Sequence, residues 1–228
     1  MPWLLKGLVG SLFSAFIFSI LAYYVLKFGH PHEDAYILFI YSEQLANNGR
    51  ITCFNGGPLT EGATDFLWMV LISGINRIGI NSCLASLLLN LLGVFITTYI
   101  VLKICERFKA PNLVKIFFIL LSPIYMTSLA SFAGFSTSLY CALIALIFVT
   151  SVFADGKKLL FVPILGLILA LFRPDGAIIG VTTTMLTILF IKKLPLKNYI
   201  LCILICSLIG ITYFIWRWSY FGHFLPYR

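Results

Sequence analysis

Five of the chain's eight acidic residues lie between Glu33 and Asp65, in a sequence that is otherwise mostly apolar. This polar window is preceded by two histidines in His30-Pro31-His32-Glu33-Asp34, where two carboxylates stand side by side. A carboxylate within hydrogen-bond reach of a substrate hydroxyl can act as a general base. Alternatively, Asp34, with His32 as a further ligand, could hold a divalent cation. The window is therefore the candidate for catalysis or metal binding.

A purely structural role for Asp34 is also open. Apolar residues recur at helical spacing over residues 35–48, and Gly49 follows as a helix terminator. Asp34 would then be the N-cap residue, whose side chain satisfies free backbone amides. Capping needs only one acid, whereas the sequence supplies Glu33 as well, so we favour a chemical role.

The composition determines the class of protein that carries these acids. The chain is 61% apolar and 11% charged, with a mean hydropathy of +1.02. Soluble domains are roughly 45 to 50% apolar and about 25% charged. We therefore expect a multi-pass membrane protein, and we read the formal charge of +8 as a signal of orientation, with no nucleic-acid partner. The six cysteines show no metal-binding or disulfide spacing.

Apolar stretches near the roughly 17 to 25 residues that cross a bilayer lie at 8–26, 83–102, 113–133, 139–154 and 199–216. Residues 159–172 and 177–191 form a shorter pair. Nine of the ten lysines lie outside the first outer loop and should be cytoplasmic. The fold predicted is an all-α polytopic membrane helix bundle of about seven transmembrane helices, or five if the short pair is a re-entrant hairpin. Residues 1–26 are expected to be a retained span and not a signal peptide.

The first outer loop, residues 27–80, is predicted to hold two helices that lie in the membrane interface, 35–48 and 66–79. The second is only 14 residues long and contains Arg77, so we do not expect it to cross. A turn at Asn55-Gly56-Gly57-Pro58 separates them. In this topology the amino terminus is cytoplasmic, and most acids and all three histidines are extracytoplasmic.

Four motifs in this order resemble the GT-C class of integral-membrane glycosyltransferases, in particular its arabinofuranosyltransferase and mannosyltransferase-like members. The motifs are Glu33-Asp34-Ala35-Tyr36-Ile37, Glu61-Gly62-x-Thr64-x-Phe66-Leu67-Trp68, Arg173-Pro174-Asp175-Gly176 and Tyr220-Phe221-Gly222-x-x-Leu225-Pro226. The resemblance implies transfer of a sugar from a polyprenyl-phosphate donor to a glycan, lipid or protein acceptor of the cell envelope, on the outer face of a bacterial inner membrane. It implies that Asp34 is the catalytic carboxylate, with Glu33 beside it.

By the same resemblance, donor or substrate binding falls to Glu61, Thr64, Arg173, Asp175 and Arg217. Bidentate arginine suits the lipid phosphate that leaves in such a reaction. Structural alternatives are a local salt bridge from Arg173 to Asp175, and an interface anchor for Arg217 between Trp216 and Trp218. No cofactor is expected with certainty, and a divalent cation is possible.

The chain departs from the family pattern in two places. Relatives usually read Gly-Leu-Glu-Thr where this chain has Gly134-Phe135-Ser136-Thr137, and they continue beyond the region that ends here at Arg228. We therefore expect a single amino-terminal GT-C-like module spanning residues 1–228, for which a membrane-protein partner could supply the missing part. The alternatives are a non-catalytic remnant or subunit that binds lipid-linked sugar, and a transport component for lipid-linked glycans.

Overall fold

The computed structural model describes residues 2–28, 31–62, 64–126, 134–190 and 195–222. Within these residues the regular structure is helical, apart from one antiparallel bridge between Thr52 and Leu59. The α-helices, in chain order, are α1 Pro2–Phe28, α2 Glu33–Asn48, α3 Phe66–Asn76, α4 Ser82–Arg107, α5 Asn112–Met126, α6 Thr137–Phe153, α7 Phe161–Phe172, α8 Pro174–Phe190 and α9 Leu196–Phe221. A short 3-10 helix, Gly156–Leu160, precedes α7. The all-α prediction is confirmed for the described chain.

Three of these helices are long and apolar enough to cross a membrane, namely α1 over Gly7–Tyr24, α4 and α9. They correspond to the predicted spans 8–26, 83–102 and 199–216. By contrast, α5, α6 and α8 have 15, 17 and 17 residues. The last part of the predicted span 113–133, residues 127–133, lies outside the described residues. So do Lys192, Lys193 and the Leu225-Pro226 end of the last motif. A membrane protein is supported, and the count of about seven crossings stays a prediction.

Both helices predicted for the first outer loop are present. The first, α2, begins two residues before the predicted start and ends before Gly49, whose φ of +67° favours glycine. The second, α3, covers the first part of the predicted 66–79 segment. Between them the predicted turn forms, with Gly56 at φ +77° and the Gly57 amide donating to the Phe54 carbonyl over 3.0 Å. Helical periodicity and turn residues thus located these elements correctly.

The chain divides into two compact units. The first unit comprises residues 1–36 and 83–146, so it contains the first turn of α2. In it, α1 packs against α4 through a buried apolar cluster of Phe18, Ala22, Leu87 and Val94. The Thr98 hydroxyl donates to the Ser14 hydroxyl over 3.1 Å, which satisfies both buried polar groups.

The second unit comprises residues 37–82 and 147–228, and its helices gather around α7. Helices α7 and α8 form a hairpin joined by Arg173 alone. Gly166 and Gly180 let their backbones approach closely, as small residues do between membrane helices. α3 also packs on α7, where the Trp68 and Phe172 rings lie 6.1 Å apart. The hairpin thus supports α3.

Replacing Gly180 with leucine should separate α7 from α8. A Cβ atom at position 180 would lie 2.7 Å from the Gly166 Cα, so one backbone must move. We expect a loss of about 1 to 3 kcal/mol, which thermal unfolding of the purified protein in detergent would measure. Gly210→Ala is the control, because its Cβ would lie 3.7 Å from Leu167 and alanine favours the helix. An unchanged Tm for Gly180→Leu would contradict the close helix contact.

Candidate functional site

The predicted catalytic carboxylates lie in the first turn of α2. This helix begins at Glu33, and the backbone amides of Ala35 and Tyr36 donate to the His32 carbonyl over 3.0 and 3.4 Å. Asp34 therefore lies inside the helix, and the N-cap interpretation of this residue is corrected because His32 precedes the first helical residue. Two acids in the first turn are stabilised by the positive end of the helix dipole.

His32 lies directly beside the Asp34 carboxylate. Its Nδ1 atom is 3.4 Å from Asp34 Oδ2 and accepts the Asp34 backbone N–H over 3.3 Å. The two side chains are 53% and 64% exposed, so a substrate hydroxyl can reach the carboxylate. Among the residues that the structure describes, no group of three or more His, Cys, Asp or Glu side chains could hold a metal ion. His32 and Asp34 thus form a pair of polar groups at the surface.

Glu61 and Arg217, both predicted to bind substrate, are partners of each other. Arg217 Nη2 donates to Glu61 Oε2 over 2.6 Å, and Arg217 Nε donates to Glu61 Oε1. The Arg217 side chain is only 11% exposed and the Glu61 side chain only 18% exposed. This bidentate pair fastens the segment between α2 and α3 to the last turns of α9. The guanidinium fork that the sequence suggested for a lipid phosphate is occupied by Glu61.

Arg173, Asp175 and Thr64 come together at the α7–α8 connection. Arg173 Nε lies 3.2 Å from Asp175 Oδ1, which is the local salt bridge considered from the sequence, and 3.9 Å from Asp65 Oδ1. The Thr64 hydroxyl lies 3.4 Å from the same Asp65 oxygen. The charge of Arg173 is therefore balanced by two carboxylates.

Sequence reasoning missed Asp65 as a member of this cluster. Its side chain is 13% exposed, and it precedes α3 without making a side-chain capping bond. It instead faces Arg173, a residue more than 100 positions away in the chain. One feature of the sequence could have identified Asp65: it is an acid directly before an apolar helix, within the motif that also contains Thr64.

The loop that carries Glu61 is held by two tyrosines. Tyr41 of α2 covers Gly62, where the Cβ of any other residue would overlap the tyrosine ring. Burial, followed by the neighbouring Cys53, raises the pKa of Tyr41. Tyr220 of α9 accepts the Ile51 backbone N–H on its hydroxyl over 3.0 Å. Gly62 of the second motif and Tyr220 of the fourth motif thus have structural roles.

A cavity of about 370 Å³ lies beside α3. Its wall is mainly apolar and aromatic, and Arg77 is its charged residue; other lining residues include Leu45, Ile51, Phe66, Val70, Trp216 and Tyr220. Arg77 is exposed, and its Nη2 lies 3.5 Å from the Leu45 carbonyl. Gly74, in the last turn of α3, also lines the cavity, and a Cβ at that position would meet nothing within 4 Å. In the sequence, Arg77 had served only to judge whether this segment crosses the membrane.

The segment at which the GT-C pattern would place a glutamate, Gly134 to Thr137, contains the buried Ser136 and no acid. Ser136 is fully buried, and Asn90 of α4 holds the backbone on either side of it. Asn90 Nδ2 donates to the Phe135 carbonyl over 2.8 Å, and its Oδ1 accepts the Ser138 amide over 3.1 Å. The departure at Ser136 thus coincides with a structural anchor for the start of α6.

The structure therefore brings the candidate residues together in three groups. His32, Glu33 and Asp34 form one, Glu61 and Arg217 another, and Thr64, Arg173 and Asp175 a third that also includes Asp65. Comparisons of the chain with protein-family models, with curated proteins and with solved structures found no match. A function for these groups must consequently be argued from their own chemistry and geometry.

Glu61→Gln should destabilise the protein because it leaves the Arg217 guanidinium without its counter-charge. We expect a loss of about 2 to 4 kcal/mol, measured by denaturation in detergent. Arg217→Gln should lower the free energy of unfolding by a similar amount. The double variant should lose less stability than the sum of the losses in the two single variants. Glu43→Gln, at an exposed carboxylate that accepts a hydrogen bond from Ser82, is the control and should stay within about 0.5 kcal/mol of the parent. Additive losses would argue against a coupled pair.

Gly74→Ala should stabilise the protein by about 0.5 to 1 kcal/mol. Gly74 is a helical residue in the last turn of α3, alanine is favoured over glycine in helices by roughly this amount, and the added methyl group enters open space. A rise in Tm measures the effect, with Gly62→Ala as the contrasting variant, in which the methyl group overlaps Tyr41 and Tm falls. A decrease for Gly74→Ala would mean that the position is sterically filled.

Proposed function

We propose that this chain is a GT-C-like glycosyltransferase of the cell envelope. In this proposal it moves a sugar from a polyprenyl-phosphate donor to a glycan, lipid or protein acceptor at the outer face of the inner membrane. The observation that carries the proposal is the exposed Asp34 carboxylate, which follows the candidate span of α1 by ten residues and has His32 3.4 Å away. Such a carboxylate can meet an acceptor hydroxyl close to the membrane surface, where a lipid-linked sugar is presented.

In the proposed reaction Asp34 is the general base. Its carboxylate takes the proton of the acceptor hydroxyl, and the hydroxyl oxygen forms a bond to the anomeric carbon of the donor sugar. The bond between that carbon and the phosphate oxygen breaks, and its electron pair leaves with the lipid phosphate. Glu33 is assigned as the supporting carboxylate in the same helical turn.

The proposal includes the predicted topology. The lysine clusters face the cytoplasm, and α2 and α3 lie in the outer interface. The α7–α8 hairpin is counted among the crossings. Its connecting residue Arg173 lies 3.9 Å from Asp65, directly before α3, which supports a hairpin tip at the outer interface and hence about seven crossings.

A protein that binds lipid-linked sugar without transferring it is the second candidate. It is favoured by the ion pairs of Arg173 and Arg217, because both cations suggested for stabilising a leaving phosphate face carboxylates. In that case a membrane-protein partner would supply the catalytic part. The two candidates differ in whether Asp34 is needed for turnover.

Asp34→Asn should lower the rate of sugar transfer by about 10²- to 10⁴-fold, because asparagine cannot accept the hydroxyl proton. The assay follows a radiolabelled polyprenyl-phosphate sugar, scoring transfer to acceptor and hydrolysis by water. Glu43→Gln, on the same helix, is the matched control and should retain the parental rate. Equal turnover by the parent and Asp34→Asn would remove the catalytic assignment. Donor binding by the parent without any turnover would favour the second candidate.

A further inference from the structure

We propose that the cavity beside α3 binds the first part of the hydrocarbon chain of a polyprenyl phosphate, with the lipid phosphate on Arg77. The inference rests on the proposed function, since it takes the lipid carrier of the donor as the ligand. It concerns the second unit alone, and it names a cation that differs from the two suggested by sequence motifs.

Charge balance distinguishes Arg77 from Arg173 and Arg217. Arg217 is paired with Glu61, and Arg173 lies near Asp65 and Asp175. Within the described residues no carboxylate forms an ion pair with Arg77, whose guanidinium contacts the Leu45 carbonyl at the long distance of 3.5 Å. A phosphate would be a much stronger partner for this group than a neutral carbonyl.

The wall of the cavity suits a hydrocarbon chain. Trp216 and Tyr220 stack with ring centres 5.2 Å apart, and Phe66 and Val70 of α3 complete an apolar lining. Gly74 keeps the wall open, although no protein atom would lie within 4 Å of a Cβ atom at this position. Alanine would favour the helix, so packing within the chain does not account for a glycine at this position.

The occupant that fits best is a single chain attached directly to phosphate. A polyprenyl phosphate has that form, whereas a diacyl phospholipid brings two chains and a glycerol group. A volume of about 370 Å³ with one cation in its wall matches the first of these. The chain would lie against the aromatic residues of α9 while its phosphate reaches Arg77 at the end of α3.

The test measures binding of geranylgeranyl phosphate, which carries no sugar, to the purified chain in detergent by titration and native mass spectrometry. Arg77→Gln should weaken binding at least tenfold, because the charge-assisted contact is lost. Gly74→Leu should also weaken it at least tenfold, because the new side chain fills the cavity. Arg50→Gln is the matched control, an exposed outer-loop arginine outside the cavity wall, and should bind like the parent.

Two further ligands identify the source of the binding energy. Geranylgeraniol lacks the phosphate, so it should bind more weakly and be insensitive to Arg77→Gln. Dioleoyl phosphatidic acid should bind more weakly than geranylgeranyl phosphate, and equal binding would overturn the commitment to a prenyl chain. If Gly74→Leu does not fold, Arg77→Gln at its exposed position still decides the question.

The result separates this inference from the proposed function. Unchanged affinity in both Arg77→Gln and Gly74→Leu overturns the cavity assignment, even if the parent transfers sugar. Binding that depends on both residues supports the assignment, even if no transfer is found.

Discussion

The Glu61–Arg217 ion pair is the contact on which the arrangement of the segment between α2 and α3 depends. Both side chains are largely buried, and the guanidinium and carboxylate meet in a bidentate geometry. Separating them would leave a charge in apolar surroundings, which is far more costly than at a protein surface. The loop is therefore held against the end of α9, where Tyr220 also binds the Ile51 amide. These two contacts set the position from which α3 begins.

The ion pairs also divide the charged residues by role. Glu61 neutralises Arg217, and Asp65 and Asp175 neutralise Arg173, so these five side chains have partners within the second unit. Charged groups that are exposed without such compensation are better suited to meet a ligand. The Asp34 carboxylate meets this criterion because its side chain is 64% exposed. The Arg77 guanidinium meets it because its contact is with a neutral carbonyl. The functional proposals rest on this distinction.

Much of the local structure could be predicted from the sequence. The apolar periodicity before Gly49 predicted α2, the Asn55 to Pro58 run predicted the turn, and hydropathy located α1, α4 and α9. These features depend on neighbouring residues, so sequence spacing reports them directly. The start of α2 was misplaced by two residues, and this was enough to change the role of Asp34 from cap to first-turn acid.

The pairings between distant residues could not be predicted in the same way. Arg217 and Glu61 are 156 positions apart, and an arginine beside tryptophans fits an interface anchor equally well. The motif residues Glu61 and Arg217 were expected to act on a ligand, whereas the structure pairs them with each other. Arg77 received no ligand role, because its cavity arises from three helices that are separate in the sequence.

Sugar transfer by Asp34 requires that this residue faces the compartment in which lipid-linked sugars are used. The most direct measurement is labelling of Asp34→Cys by a membrane-impermeant maleimide in sealed spheroplasts, in a background with the exposed Cys53 replaced by serine. Lys157→Cys, in a proposed cytoplasmic segment, serves as the control. If Asp34 is extracytoplasmic, position 34 is labelled before lysis and position 157 only after it. Labelling at position 34 only after lysis would place the acid in the cytosol and rule out a role in extracytoplasmic sugar transfer.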